Sequence, residues 1–198
     1  MHDVIVVGGG PAGLSAALFT AKNDLDTVVF DTDETWMHKA HLFNYLGIDS
    51  MDGSEFVAQS REQVEEFGVS LHEAEVTAVE ETAEGFAVET EAESEAGEAV
   101  DQTAGDQTHE ATYLILATGA DRSLAESLNC EFTDDDVVDV NVSMETSVEN
   151  AYATGALVRV EEWQAIISAG DGAAAALNVL SKEKGEHYHD FDVPADAE

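Results

Sequence analysis

The residues best placed to do chemistry lie near the start of the chain. Gly8, Gly10 and Gly13 stand in the order Gly-x-Gly-x-x-Gly, filled in as Gly8-Gly9-Gly10-Pro11-Ala12-Gly13, and an acid, Asp31, follows eighteen residues after the last glycine. Such a turn cradles the pyrophosphate of a dinucleotide when it joins a strand to a helix. Gly8 permits the tight turn, Gly10 lets the backbone approach the phosphates without a Cβ in the way, and Gly13 lets helix and strand pack closely. The phosphate oxygens then meet free N–H groups at a helix N-terminus, where the dipole favours an anion. Asp31 is placed to accept hydrogen bonds from the adenosine ribose hydroxyls. Its charge repels a 2′-phosphate, so NADP is not expected there. A glycine-rich turn with no ligand is the plain alternative, and the surrounding elements decide against it.

Those elements form one βαβ unit. The apolar, β-branched run 3–7 reads as a buried parallel strand. Residues 11–22 read as a helix with Pro11 in its first turn, and 27–30 as a second strand that ends at Asp31. An irregular stretch over 32–52 carries Trp36, His38, Lys39, His41 and Asn44. A helix is expected over 54–67, stopped by Gly68. Alternating stretches at 76–80 and 86–90, with a weaker one before Tyr113, suggest a small antiparallel meander. The acidic span 91–108 reads as an exposed loop at a hairpin end. Residues 113–117 (YLILA) are the most hydrophobic run and should be a central strand. Weaker expectations are a short helix at 124–128 and strands at 137–140 and 151–154. A last helix is expected over 161–180, then a polar, mobile tail over 182–198 with His187 and His189. The fold class is therefore α/β: a Rossmann-like FAD/NAD(P)-binding domain with a parallel sheet, helices and a small antiparallel meander, occupying 1–198 as one domain.

Composition narrows the setting. The 43 Asp and Glu against 7 Lys and Arg give a formal net charge of −36. In dilute buffer that surface repels itself and loosens the compact state, whereas molar salt shortens the Debye length to about 3 Å. Because the acids are spread along the chain, the reading is adaptation to a salt-rich cytoplasm; a basic partner is the other possibility. Nucleic-acid binding is not expected, since no basic footprint is visible. No segment resembles a signal peptide and no apolar stretch is long enough to span a bilayer, so a cytoplasmic protein with no membrane partner is expected.

Other candidates carry two readings each. Lys39 and His41 either approach a cofactor or are solvated loop residues. Trp36 and Trp163 either stack on a flat ring or pack ordinarily. Cys130, the one cysteine, is a redox thiol or, more in keeping with its isolation, a small buried hydrophobe. His187-x-His189 with Asp190 has metal-ligand types, but no metal site is expected in a mobile tail.

The glycine turn within DVIVVGGGPAGLSAAL, the segment Leu114-Ile115-Leu116-Ala117-Thr118-Gly119 and the last helix together resemble the thioredoxin-reductase-like branch of FAD-dependent pyridine-nucleotide oxidoreductases. Asn44-Tyr45-Leu46-Gly47 resembles that family's loop beside the flavin. Met144-Glu145-Thr146-Ser147 and Ala151-Tyr152-Ala153-Thr154-Gly155 resemble its strand returning to the flavin. Gln164-Ala165 followed by Ala169-Gly170-Asp171-Gly172 resembles the helix whose N-terminus faces the isoalloxazine. The resemblance implies FAD as cofactor, held by Gly8, Gly10, Pro11, Ala12, Gly13, Asp31, Lys39, His41, Asn44, Val76, Ala117, Thr118, Gly119, Gly155, Trp163, Gln164 and Ala165. It also implies NAD(P)H or a redox protein as partner, and a homodimer. Three departures stand out. Only about two dozen residues separate Gly119 from Met144, too few for the family's NADPH domain. There is no Cys-x-x-Cys, so the usual dithiol exchange is closed. The family's Gly-Asp pair reads Gly155-Ala156, which predicts weaker FAD binding. The implied function is a flavoprotein oxidoreductase unable to run thioredoxin reductase's dithiol chemistry, or else a non-catalytic flavin-binding module.

Overall fold

The computed structural model describes residues 1–91 and 107–193. Most of the acidic loop expected over 91–108, and the last five residues, lie outside the described residues. Strand β1 (His2–Val7) and strand β2 (Thr27–Asp31) pair in parallel with Val4 opposite Thr27 and Val7 opposite Phe30, and helix α1 (Pro11–Lys22) crosses between them. Pro11 suits the first helical turn because its missing N–H has no intrahelical partner there anyway.

A 3-10 turn over Trp36–Lys39 follows, its start capped by the Thr35 hydroxyl accepting from Met37 N. Strands β3 (His41–Leu42) and β4 (Met51–Asp52) then make a two-residue antiparallel ladder that the sequence does not announce. Helix α2 (Gly53–Glu66) starts where the Asp52 side chain accepts from Ser54 N, a capping contact typical of Asp before a helix. Strand β5 (Ser70–Glu73) adds in parallel to the outer side of β2. It too escapes sequence reading, because it lacks β-branched residues and none of its four residues is fully buried, so no periodic signal develops.

Strands β6 (Val76–Thr82), β7 (Gly85–Thr90) and β8 (Gln107–Leu116) complete the meander, followed by helix α3 (Ser123–Ser127), strand β9 (Ala151–Ala153) and helix α4 (Ala165–Lys184). The sheet order is β5-β2-β1-β8-β7-β6, with β9 also on β8. One expectation is corrected here: the third meander strand and the central YLILA strand are a single strand. The first half of β8 pairs antiparallel with β7, Gln107 opposite Thr90 and Ala111 opposite Phe86. From Ala111 to Leu116 it pairs in parallel with β1, and Leu114 to Leu116 also pair with β9. The polarity change along β8, from exposed Gln107 and Thr108 to fully buried Leu114–Leu116, follows the change of neighbours.

Two further corrections follow from local chemistry. Residues 137–140 make only an isolated bridge, Phe132 to Val138. The last helix begins at Ala165 rather than 161 and runs on to Lys184, where Gly185 at φ 68 ends it, the left-handed stop that glycine favours. The described part of the tail, to Val193, is tied down: Lys22 pairs with Asp190 at 2.7 Å and the Tyr188 hydroxyl donates to Asn23.

Successive residues of the central strands face opposite cores. Ile5, Val7, Val28, Phe30, Leu114 and Leu116 pack with Val79, Phe86, Val88 and the α3 residues Leu124 and Ala125. Val4, Val6, Val29, Tyr113 and Ile115 pack under α1 and α4 through Leu14, Ala16, Ala17, Ala175, Ala176 and Val179. A parallel sheet buried on both faces accounts for the unbroken apolar runs. Its ends, not its faces, are left free to bind.

Candidate functional site

The carboxyl ends of β1, β2, β8 and β9 open into one cleft with a cavity volume of about 910 Å³. Crevices outside the carboxyl ends of parallel strands are where α/β sheets bind ligands, because loops and helix N-termini converge there. The glycine turn forms its floor. Gly8 adopts φ +109, and a Cβ there would lie 2.3 Å from the Ala117 carbonyl oxygen. A Cβ on Gly13 would lie 1.8 Å from the Gly8 carbonyl oxygen, so Gly13 acts below the cleft by letting α1 seat against the turn. By contrast, a Cβ on Gly10 would meet only the Thr35 hydroxyl, at 3.3 Å; the space above Gly10 is open.

Gly8, Gly10, Pro11, Ala12, Asp31 and Val76 line the cleft on one side; Ala117, Thr118, Gly119, Gly155, Trp163, Gln164 and Ala165 line it on the other. Both α1 and α4 point their N-termini into it, and neither carries a side-chain cap. Their first N–H groups are thus open to an anion or to electron-rich oxygens. Every lining residue is acidic or uncharged: Asp31, Glu34, Glu75 and Asp121 are present, with no Lys, Arg or His. Among the lining residues, positive charge is therefore offered only by backbone N–H groups.

Besides Gly13, three expected residues stand outside the lining. Lys39 is exposed at the end of the 3-10 turn. His41 is exposed on β3, where its Nε2 lies 2.9 Å from Ser50 Oγ and its ring 4.5 Å from that of Phe43. The 3-10 turn holds Lys39, and the two-residue ladder His41, outside the lining. Asn44 is outside the lining too, but its side-chain amide donates to Gln164 Oε1 at 2.7 Å, tying its loop to the start of α4. Trp36 and Trp163 both reach the cleft, their rings 5.2 Å apart at 52°. Cys130 is buried and away from the cleft, and burial pushes its thiol up from the ordinary value, which suits a packing residue. Among the described residues no group of three or more His, Cys, Asp or Glu is arranged to hold a metal ion.

Sequence reasoning missed several residues that shape the site. Glu75 and Thr77 flank Val76 in the lining, and Ser168 adds a position one turn into α4. Arg159 grips Asp171 with two hydrogen bonds, 3.1 and 2.6 Å, and its carbonyl accepts from Trp163 Nε1 at 2.8 Å. The pair therefore fixes the segment that delivers Trp163 and Gln164. The only signal for it was the scarcity of cations, which makes each one's position informative.

The fold and the cleft define a dinucleotide-binding flavoprotein of Rossmann type. The family model described as pyridine nucleotide-disulphide oxidoreductase matches residues 2–124, and the chain belongs to that family. It is 31% identical to a thioredoxin reductase of Listeria monocytogenes over 124 residues, 61% of this chain and 34% of that protein. To a thioredoxin reductase of Mycolicibacterium smegmatis it is 36% identical over 124 residues, 61% of this chain and 35% of that protein. The chain thus spans about a third of the length of the curated relatives it matches. In fold it resembles a thioredoxin reductase from Gloeobacter violaceus, with a TM-score of 0.79 at 19% identity over 98% of each chain. FAD is the cofactor that goes with this class. The residues present fit it, since the cavity is large enough, the space above Gly10 is clear and two uncapped helix ends face inward.

Proposed function

We propose that the chain is the flavin domain of an FAD-dependent oxidoreductase. One observation carries this: the glycine turn and the two uncapped N-termini of α1 and α4 converge on a single cleft. Asp31 would serve the adenosine ribose, the amides around Gly10 to Ala12 the pyrophosphate, and Trp163, Gln164 and Ala165 the isoalloxazine. Bound FAD supplies one- and two-electron transfer, while the protein supplies orientation and field. The α1 amides offset pyrophosphate charge in place of the missing cations. The α4 terminus provides a positive field at the far end of the cleft, where the two indoles offer flat apolar faces.

The donor in this reading is NAD(P)H docking transiently or a partner redox protein. This chain itself offers no cysteine pair for a dithiol route, Cys130 being its one cysteine and buried. The chain acts as one domain in a salt-rich cytoplasm, a setting its charge of −36 suits, and pairs as a homodimer through the flavin domain. Among the described residues no helix is long and apolar enough to cross a membrane. A non-catalytic flavin-binding module is the second reading. It is favoured by Ala156, which lines the cleft where the family resemblance calls for a carboxylate.

The test is an anaerobic titration in molar KCl with NADH and then NADPH, following flavin absorbance. Bleaching supports direct reduction by the nucleotide. A flavin spectrum that neither nucleotide changes points to a protein donor or to the silent module. If the chain takes up no flavin when FAD is added, the proposal is wrong.

A further inference from the structure

Behind the adenosine end of the cleft lies a layer of charge that the reading above does not use. Asp31 Oδ1 accepts from Gly9 N at 2.8 Å, and Oδ2 is ion-paired with the Arg61 guanidinium, which comes from the middle of α2. Arg61 also holds Asp33 at 3.0 Å, and His38 bridges Asp33 and Ser54 at 2.9 Å each. Arg61 is not in the cleft lining; it stands behind the carboxylate that is. There is no slack in the arrangement, since a Cβ on Gly9 would lie 2.4 Å from Asp31 Oδ2. Arg61 Nε is buried with no acceptor. An unmade bond of that kind disfavours folding, so the guanidinium is not explained by the stability of α2 alone.

We propose that Arg61 is a positioning residue that presets Asp31 for the ribose hydroxyls of an adenine dinucleotide and makes the cleft prefer FAD to FMN. The inference rests on the flavin reading. A carboxylate free to rotate must be ordered when ligand binds; one already fixed is not, and the saving appears as affinity. Each carboxylate oxygen has two acceptor positions, so after Gly9 and Arg61 each keeps one for the ligand. Arg61 reaches Asp31 and Asp33 through one guanidinium nitrogen, Nη2, so it ties the two carboxylates to each other and fixes Asp31 from one side. FMN has no adenosine and gains nothing from the arrangement.

The experiment uses the full chain in molar KCl, with Arg61→Gln and Arg61→Lys. Dissociation constants for FAD and FMN are read from quenching of the two tryptophans, both in the cleft, and that for ADP by competition or calorimetry. Arg61→Gln should weaken FAD and ADP about tenfold and leave FMN unchanged, with Arg61→Lys in between. Equal weakening of FMN and FAD would mean a merely structural role and overturn the proposal, as would unchanged FAD and ADP. If Arg61→Gln does not fold, the same comparison is made on Arg61→Lys. A wild-type chain that binds ADP but neither flavin sinks the flavin reading, while the ADP comparison still decides Arg61's part. A chain that binds none of the three overturns both.

Discussion

Ala156 stands where the family resemblance implies a carboxylate, and it lies in the cleft lining beside Gly155 at φ +66. A methyl group there offers no acceptor to a ligand hydroxyl. Ala156→Asp should tighten FAD binding severalfold, by roughly 1 kcal/mol for one added hydrogen bond, read by tryptophan quenching; unchanged or weaker binding would show that the added charge outweighs the new acceptor. At this scale the placement of the glycine turn and Asp31 at the cleft was legible in the sequence, and the reason is local. The glycines, Pro11 and Asp31 lie within one βαβ unit, so their spacing carries their geometry. Lys39 and His41 illustrate the limit: they neighbour the cleft in sequence, but a 3-10 turn and a two-residue ladder turn them outward. Arg61 meets Asp31 from thirty residues away, through tertiary packing that no local pattern encodes.

Elements were read well wherever an apolar run was buried on both faces or a helix had a clear face, as with α1 and β1. They were misread where one strand serves antiparallel and parallel partners in turn, as β8 does with β7, β1 and β9, or where an edge strand such as β5 has little apolar content. The start of α4 was misplaced for a related reason. Residues 161–164 are compatible with helix, yet the Arg159–Asp171 pair and the Trp163 bond to the Arg159 carbonyl hold them in another path. The Asp171 side chain is 7% exposed and Arg159's is 35%. Arg159→Leu therefore leaves a nearly buried carboxylate without its partner. A fully buried pair broken in this way loses 3–5 kcal/mol; with Arg159 a third exposed, about 2 kcal/mol is expected in a denaturant melt. Because the same change frees the segment before α4, the Trp163 emission of the ligand-free protein should also shift toward that of a solvated indole. A melt unchanged from wild type would count against the pair as the anchor of that segment.

For the whole molecule, alkaline pH acts through groups that folding hides. Burial pushes Tyr113, Tyr152 and Cys130 up from their ordinary values, the neutral form being favoured inside. The unfolded chain releases these protons first as pH rises, so stability is fully present below the ordinary thiol value and declines above about pH 9. Denaturant midpoints in molar KCl should be flat from neutrality to that point and fall beyond it. Tyr152→Phe, which also removes the hydroxyl's 2.7 Å bond to Asn178, should lower the plateau and shrink the alkaline fall. A midpoint that holds steady to pH 11 would refute the assignment. The dual pairing of β8 has a consequence in time as well as in space. Its antiparallel partner β7 is a near neighbour in the chain, but its parallel partner β1 lies more than a hundred residues away. Joining distant segments is the slow part of folding, because the loop must close before the contacts reward it. The cleft exists only once the ends of β1, β2, β8 and β9 are side by side, so on refolding from denaturant the capacity to capture FAD should appear after the bulk of the secondary structure, in step with the last strand to dock.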